Sequence, residues 1–237
     1  MADIPVITVD GPSGTGKGTI CGFLANWLGW HLLDSGALYR IVAHLAMVKG
    51  VELDNEDELA EIAASMNIRF EKGADEVLVI LDGRKDISGA IRTEICGNAA
   101  SRAAALKKVR QALLNKQREF KQLPGLVADG RDMGTVIFPE ARLKIFLTAS
   151  PEERALRRYK QLKEKGNSVN LQRLSADIRE RDARDQGRIV SPLIPAPDAV
   201  VIDTSEHNAD EVCLLVCKQV TEVFSGYPDI PPLEAEH

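Results

Sequence analysis

Residues 10–19 read DGPSGTGKGT, a set of types and spacings suited to holding phosphate. Gly11, Gly14 and Gly16 let the backbone take positive φ and turn its N–H groups toward an anion. Pro12, Ser13 and Thr15 fill the turn between them. Lys17 adds a point charge, and a helix opening there adds unpaired N–H groups and the positive end of its dipole. The general pattern, G-x-x-x-x-G-K-[ST], places a hydroxyl directly after the lysine. Here Gly18 takes that place and Thr19 carries the hydroxyl one position later.

Phosphoryl transfer needs charge neutralisation and in-line positioning more than covalent chemistry. Such an enzyme should carry several arginines as well as the loop, because a guanidinium grips phosphate oxygens bidentately. Arg181, Asp185 and Arg188 are spaced to share one helix face. Arg154, Arg157 and Arg158 fall in the first two turns of another helix. A solvated, salt-bridged helix surface is the competing reading of both sets; the phosphate loop argues against it. Asp129 follows an apolar run and could meet Mg²⁺ directly or through water. Arg131 and Asp132 give the same loop a cation and an acceptor. Arg40, five residues after Ser35, could reach a phosphate or be solvated.

Five short apolar runs could be the strands that position these residues: 4–9, 30–33, 125–128, 143–148 and 199–203. Helical patterns separate them, which is α/β alternation with a parallel sheet. Their carboxyl ends carry the loop, Asp34-Ser35-Gly36, Asp129-Gly130-Arg131-Asp132 and Asp203-Thr204. Ligands of open α/β sheets bind beyond those ends. Ser150, Pro151 and Glu153 form a strong helix start. Residues 66–92 interrupt the alternation. MNIRFE and EVLVILDGRKDI read as antiparallel strands with a hairpin turn at Asp82-Gly83. Helical stretches follow at 88–103 and 106–122, so the whole reads as an insertion. A last amphipathic helix spans about 210–224, and a proline-rich, acidic tail after it reads as frayed.

At 237 residues, with 44% hydrophobic and 27% charged content, the chain suits one α/β domain with an insertion, or two small domains. The net charge is −5, yet residues 152–188 carry eleven Lys/Arg against seven Asp/Glu. An acidic protein with one basic segment suits a small anionic ligand and argues against general nucleic-acid binding. The four cysteines form no C-x-x-C pair, and Cys213 and Cys217 share a helix face as core thiols would. Reduced thiols and no signal-peptide pattern point to the cytosol. No apolar stretch approaches the ~18 residues of a membrane span.

GPSGTGKGT, with a glycine after the lysine, resembles the loop of nucleoside monophosphate kinases. Together with LLDSGALYR, ADGRDMGT, RERDARD and SPLIPAPDA it resembles the bacterial cytidylate kinases, across nearly the whole chain. The resemblance implies γ-phosphoryl transfer from ATP to CMP or dCMP with Mg²⁺. It also implies a five-stranded parallel sheet with helices on both faces, an acceptor subdomain enlarged by a small antiparallel sheet, and a mobile lid. The division expected is a single kinase domain over 1–225, acting as a monomer. Its core would be about 1–35, 123–150 and 189–225, its acceptor subdomain about 36–122, its lid and arginine-rich helices about 151–188, and its tail 226–237. Ser35, Ser101, Arg110 and Asp132 would contact the cytidine. Arg40, Arg131 and Arg188 would hold the acceptor phosphate, and Asp185, supported by Arg181, the sugar hydroxyls. Gly11 to Thr19 would cradle the ATP phosphates, Arg157 would assist there, and Thr19 and Asp129 would meet the metal. Lys17, Asp129, Arg131, Arg181 and Arg188 would carry the catalysis. The basic segment 154–168, ending at Gly166-Asn167-Ser168, would close over bound nucleotides and exclude water. Met133 stands where an aliphatic residue is usual.

Another monophosphate kinase, acting on UMP or AMP, is the nearest alternative. A GTP-dependent switch is disfavoured, because the nearest match to N-K-x-D, Asn115-Lys116-Gln117-Arg118, lacks the aspartate. A non-catalytic nucleotide-binding regulator has no use for so dense an arginine set.

Overall fold

The computed structural model describes residues 4–72, 77–83, 85–164, 166 and 168–224. β1 (Val6–Asp10) feeds α1 (Lys17–Leu28), and β2 (His31–Asp34) feeds α2 (Ser35–Lys49) and α3 (Glu56–Ser65). Three small strands follow: β3 (Ile68–Lys72), β4 (Val77–Leu81) and β5 (Lys85–Asp86). Next come α4 (Ser88–Ile91), α5 (Glu94–Ala103) and α6 (Lys107–Arg118). β6 (Leu126–Gly130) passes through a π-turn at Met133–Ile137 to β7 (Leu143–Thr148). The chain ends in α7 (Pro151–Glu164), α8 (Leu171–Gln186), β8 (Val200–Asp203) and α9 (Ala209–Val223).

The five apolar runs of the sequence are β1, β2, β6, β7 and β8, with ends matching to within two residues. They form one parallel sheet in the order β2-β6-β1-β7-β8. β1 is central and wholly buried, as its β-branched run requires. Side chains of β1 and β6 alternate between two cores. Val6, Leu126 and Ala128 pack with α2, α3, α5 and α6 on one side. Ile7, Val9 and Val127 pack with Ile20, Cys21 and Leu24 of α1 and with Val216, Cys217 and Val220 of α9 on the other. All four cysteines are buried free thiols. No helix among the described residues is long and apolar enough to cross a membrane.

β3, β4 and β5 form the antiparallel sheet expected of the insertion. Asp82 and Gly83 both take positive φ, 51° and 69°. Leu81 pairs with Lys85, so the connection is one residue longer than a two-residue turn. Glu76 and Arg84 of that stretch lie outside the described residues, as do Asn167 and the tail 226–237.

The helix expected over 88–103 is broken between α4 and α5. Thr93, in extended geometry, caps α5 by accepting the Cys96 N–H through Oγ1 (3.2 Å). Arg40 donates to the carbonyls on either side of the break, Ile91 (2.8 Å) and Thr93 (3.2 Å). A long-range guanidinium thus serves the Ile91 carbonyl that a continuous helix would have used, while the Thr93 carbonyl also accepts the Gly97 N–H (3.0 Å).

Candidate active site

Gly11 has φ 145°, and a Cβ there would lie 2.0 Å from the Leu147 carbonyl oxygen, so only glycine lets the loop pass under the end of β7. Gly16, at φ 87°, precedes α1 with no side-chain cap, which leaves the first amides of that helix open. Lys17 is buried and donates to the Pro12 carbonyl (2.6 Å) and Thr15 Oγ1 (3.4 Å), both neutral oxygens. Burial, then the nearby Arg131, lowers its pKa to about 7 against the pull of Asp129. A phosphate would supply the anion that this buried ammonium lacks.

Thr19 lies exposed on the first turn of α1. A Cβ on Gly18 would sit 3.9 Å from Asp129 Oδ2, so the Asp129 carboxyl flanks the same turn. Burial raises that carboxyl to about 6, with Lys17 opposing. One carboxylate and one hydroxyl is the small, hard donor set that Mg²⁺ uses when phosphates supply other ligands. These residues fit that ion. Among the described residues no group of three or more His, Cys, Asp or Glu could hold a metal.

Beyond the strand ends, β6, α2, α5, α6 and α8 line an open cleft of about 400 Å³. Ser35, Ser101, Arg110, Arg131, Asp132, Arg181, Asp185 and Arg188 all line it. Arg110 forms a buried ion pair with Asp132, donates to the Ala104 carbonyl (3.0 Å) and lies 5.6 Å from the centre of the Tyr39 ring. Asp185 accepts from Ser101 Oγ (2.9 Å) and Arg131 Nε (3.4 Å), and lies 3.5 Å from Arg188 Nη2. Burial pushes the Asp185 carboxyl up, but Arg131, Arg188, Arg181 and Ser101 outweigh it and hold the pKa below the usual range.

A second cleft, of about 580 Å³, runs between Ser13 and Gly14 of the loop and Arg40, Glu94, Arg158 and Asp177. Arg181 lines both clefts. Burial, then Arg131 and Arg40, lowers its pKa to about 9, which leaves it cationic at neutral pH. Among the described residues, Arg181 Nε and Arg188 Nη2 are buried donors with no hydrogen-bond partner. Such atoms call for acceptors from a ligand.

The arginines in the first two turns of α7 do not converge on these clefts as a group. Arg154 is buried and donates to the Ala149 carbonyl (3.0 Å), the Ser13 carbonyl (3.1 Å) and both Asp182 oxygens (3.1 and 2.5 Å). Its guanidinium ties loop, α7 and α8 together instead of facing a ligand. Arg157 lines neither cleft and donates to Thr204 and His207. Arg158 lines the second cleft, paired with Glu94 at 2.5 Å.

Two buried residues outside the sequence expectations support the site. Asp10 accepts the Met133 N–H on Oδ1 and the Gly134 N–H on Oδ2, each at 2.8 Å, and so anchors the loop bearing Arg131 and Asp132. An acidic residue closing an apolar strand was the signal available for it. Gln117 accepts a hydrogen bond from Ser35 Oγ at 2.7 Å. Nothing in its helical spacing distinguished it.

A family model described as cytidylate kinase matches residues 7–222. The chain is 58% identical to the cytidylate kinase of Aeromonas hydrophila over 212 residues, covering 90% of this chain and 92% of that one. It is 59% identical to the cytidylate kinase of Shewanella frigidimarina over 220 residues, covering 92% and 94%. With the cytidylate kinase of Klebsiella pneumoniae the identity is 54% over 211 residues, covering 89% and 92%.

Proposed function

The chain belongs to the cytidylate kinase family, and from that premise we propose how its two clefts divide the work. It is a phosphotransferase that moves the γ-phosphoryl group of ATP to CMP or dCMP, giving ADP and CDP or dCDP. The loop Gly11 to Thr19, with Lys17, holds the ATP phosphates; Arg157, which lines neither cleft, is proposed on the donor side on the family resemblance alone. Arg40, Arg131 and Arg188 hold the acceptor phosphate. Asp185 and Arg181 meet the sugar, and Ser35, Ser101, Arg110 and Asp132 meet the base.

The reading rests above all on Arg181, which lines both clefts and holds a buried donor with no hydrogen-bond partner among the described residues. A cation there can neutralise charge on the group in transit, whichever nucleotide holds it. The acceptor is itself an anionic phosphate near pH 7, so no side chain has to remove a proton from it. Lys17 and the arginines align the two phosphates and balance the charge of the equatorial oxygens. Thr19 and Asp129 would hold Mg²⁺, which when bound neutralises charge on the β- and γ-phosphate oxygens. Of the segment 154–168, the part beyond Arg154 and Ala155 closes over the nucleotides and excludes water. Both halves of the site come from one chain, which supports a monomer; buried free thiols support a cytosolic location.

Turnover with ATP and each of CMP, dCMP, UMP and AMP tests the assignment. CMP and dCMP should give diphosphate most efficiently; a preference for UMP or AMP would overturn the acceptor assignment. Asp132→Ala should reduce the preference for CMP over UMP more than it reduces turnover at saturating CMP. Its carboxylate complements the cytosine amine and would face a carbonyl of uracil, a mismatch of about ten- to a hundredfold. Equal proportional loss with both acceptors would refute that role.

A further inference from the structure

Ser35 is 3% exposed, opens α2 and lines the cleft beside Asp132. A serine hydroxyl has one proton to donate and two lone pairs to accept with. Left to rotate, it can satisfy an amine or a carbonyl on a ligand, and so discriminates weakly between cytosine and uracil. In this protein the proton is committed, because Ser35 Oγ donates to Gln117 Oε1 at 2.7 Å.

Gln117 is fully buried on α6. Its Nε2 donates to the Leu113 carbonyl at 3.3 Å. Turning the amide over would set Oε1 against that carbonyl and remove the acceptor from Ser35. The helix carbonyl therefore orients the amide, and the amide orients the hydroxyl.

We propose that Gln117 is a positioning residue for base selection, holding Ser35 as an acceptor toward the ligand so that the cleft favours the cytosine amine over the uracil carbonyl. The inference rests on the reading that Ser35 faces the acceptor base. Asp132 then supplies a second acceptor on the same cleft wall, and the two carry the same preference. Uracil would leave the Ser35 lone pairs facing its O4, without the amine that satisfies them.

The test compares kcat/KM for CMP and UMP, with ATP, in the wild type, Gln117→Met, Gln117→Asn, Gln117→Glu, Ser35→Ala and the Ser35→Ala/Gln117→Met double variant. Gln117→Met frees the Ser35 proton to turn toward O4, so the CMP:UMP ratio should fall about tenfold, partly through a gain with UMP. Gln117→Asn withdraws the acceptor with little change of polarity, carries the same expectation, and serves if the methionine variant does not fold. Gln117→Glu keeps an oxygen acceptor and should keep the ratio. The double variant should show the ratio of Ser35→Ala alone, because Gln117 acts through Ser35.

Equal loss with CMP and UMP in the Gln117 variants, or multiplying effects in the double variant, would overturn the proposal. If Ser35→Ala still shifts the ratio in that case, the assignment of Ser35 to the base survives. A Ser35→Ala ratio equal to wild type would remove that assignment and this proposal together.

Discussion

Asp10 sits at the end of the central strand, where the glycine loop begins and the loop bearing Arg131 and Asp132 is anchored. Its two backbone hydrogen bonds favour the charged form, but burial outweighs them and raises the carboxyl to about 7, with Asp132 and Asp129 adding to the rise. The folded protein therefore holds this proton more tightly than the unfolded chain, whose aspartate titrates near 3.8. Stability from this group is fully present below about pH 4 and is lost as pH rises toward about 7. Urea unfolding between pH 4.5 and 7 should show a decline in the wild type that is shallower in Asp10→Asn by on the order of 2–4 kcal/mol. Identical slopes would show that Asp10 does not carry the effect. Asp129, raised to about 6, contributes in the same direction and remains in the variant. At this scale the sequence exposed the residues whose motif announces them, such as Lys17 and Thr19. It was silent on Gln117, because only contact with Ser35, 82 residues away, gives that amide its place.

Among the elements, α7 carries the clearest difference between expectation and structure. Its start follows from sequence alone: Ser150 Oγ accepts the Glu153 N–H at 3.2 Å, as the Ser-Pro-x-Glu pattern implies. Where its first arginine points does not follow. Arg154 is 2% exposed and joins α8 to the loop through Asp182 and Ser13. A Cβ on Gly14 would lie only 3.0 Å from Arg154 Cβ, so the loop rests directly on this side chain. Arg154→Met should cost about 2–4 kcal/mol, since it strands the Asp182 carboxylate where little water reaches it. It should also raise KM for ATP, because the Ser13 carbonyl loses its donor. Unchanged urea stability would refute the tie. The break between α4 and α5 has a similar origin, with Arg40 reaching across to carbonyls 51 and 53 residues away.

For the molecule as a whole, the proposed closure makes the sheet the fixed body, and the far end of α7 with the start of α8 the part expected to move. The first turn of α7 is pinned by Arg154 and the buried Ala155, so closure has to bend beyond it. A bisubstrate analogue should slow hydrogen exchange over 159–164 and 171–174, which flank the turn between the two helices. Exchange at Arg154 and Ala155 should change little. Uniform protection along α7, or none at its far end, would count against closure about that point. The strand-loop-helix unit, the alternating elements, the inserted hairpin and the starts of α1 and α7 were determined by sequence alone, because each depends on residue period, glycine conformation or a cap within a few positions. Tertiary structure decided which cations are engaged by protein and which remain for a ligand. Arg154 finds Asp182 28 residues away and the Ser13 carbonyl 141 residues away. Among the described residues, Arg181 Nε and Arg188 Nη2 are left as buried donors without a hydrogen-bond acceptor. Pairing of that kind arises only when distant surfaces meet and exclude water, and linear spacing carries no record of it.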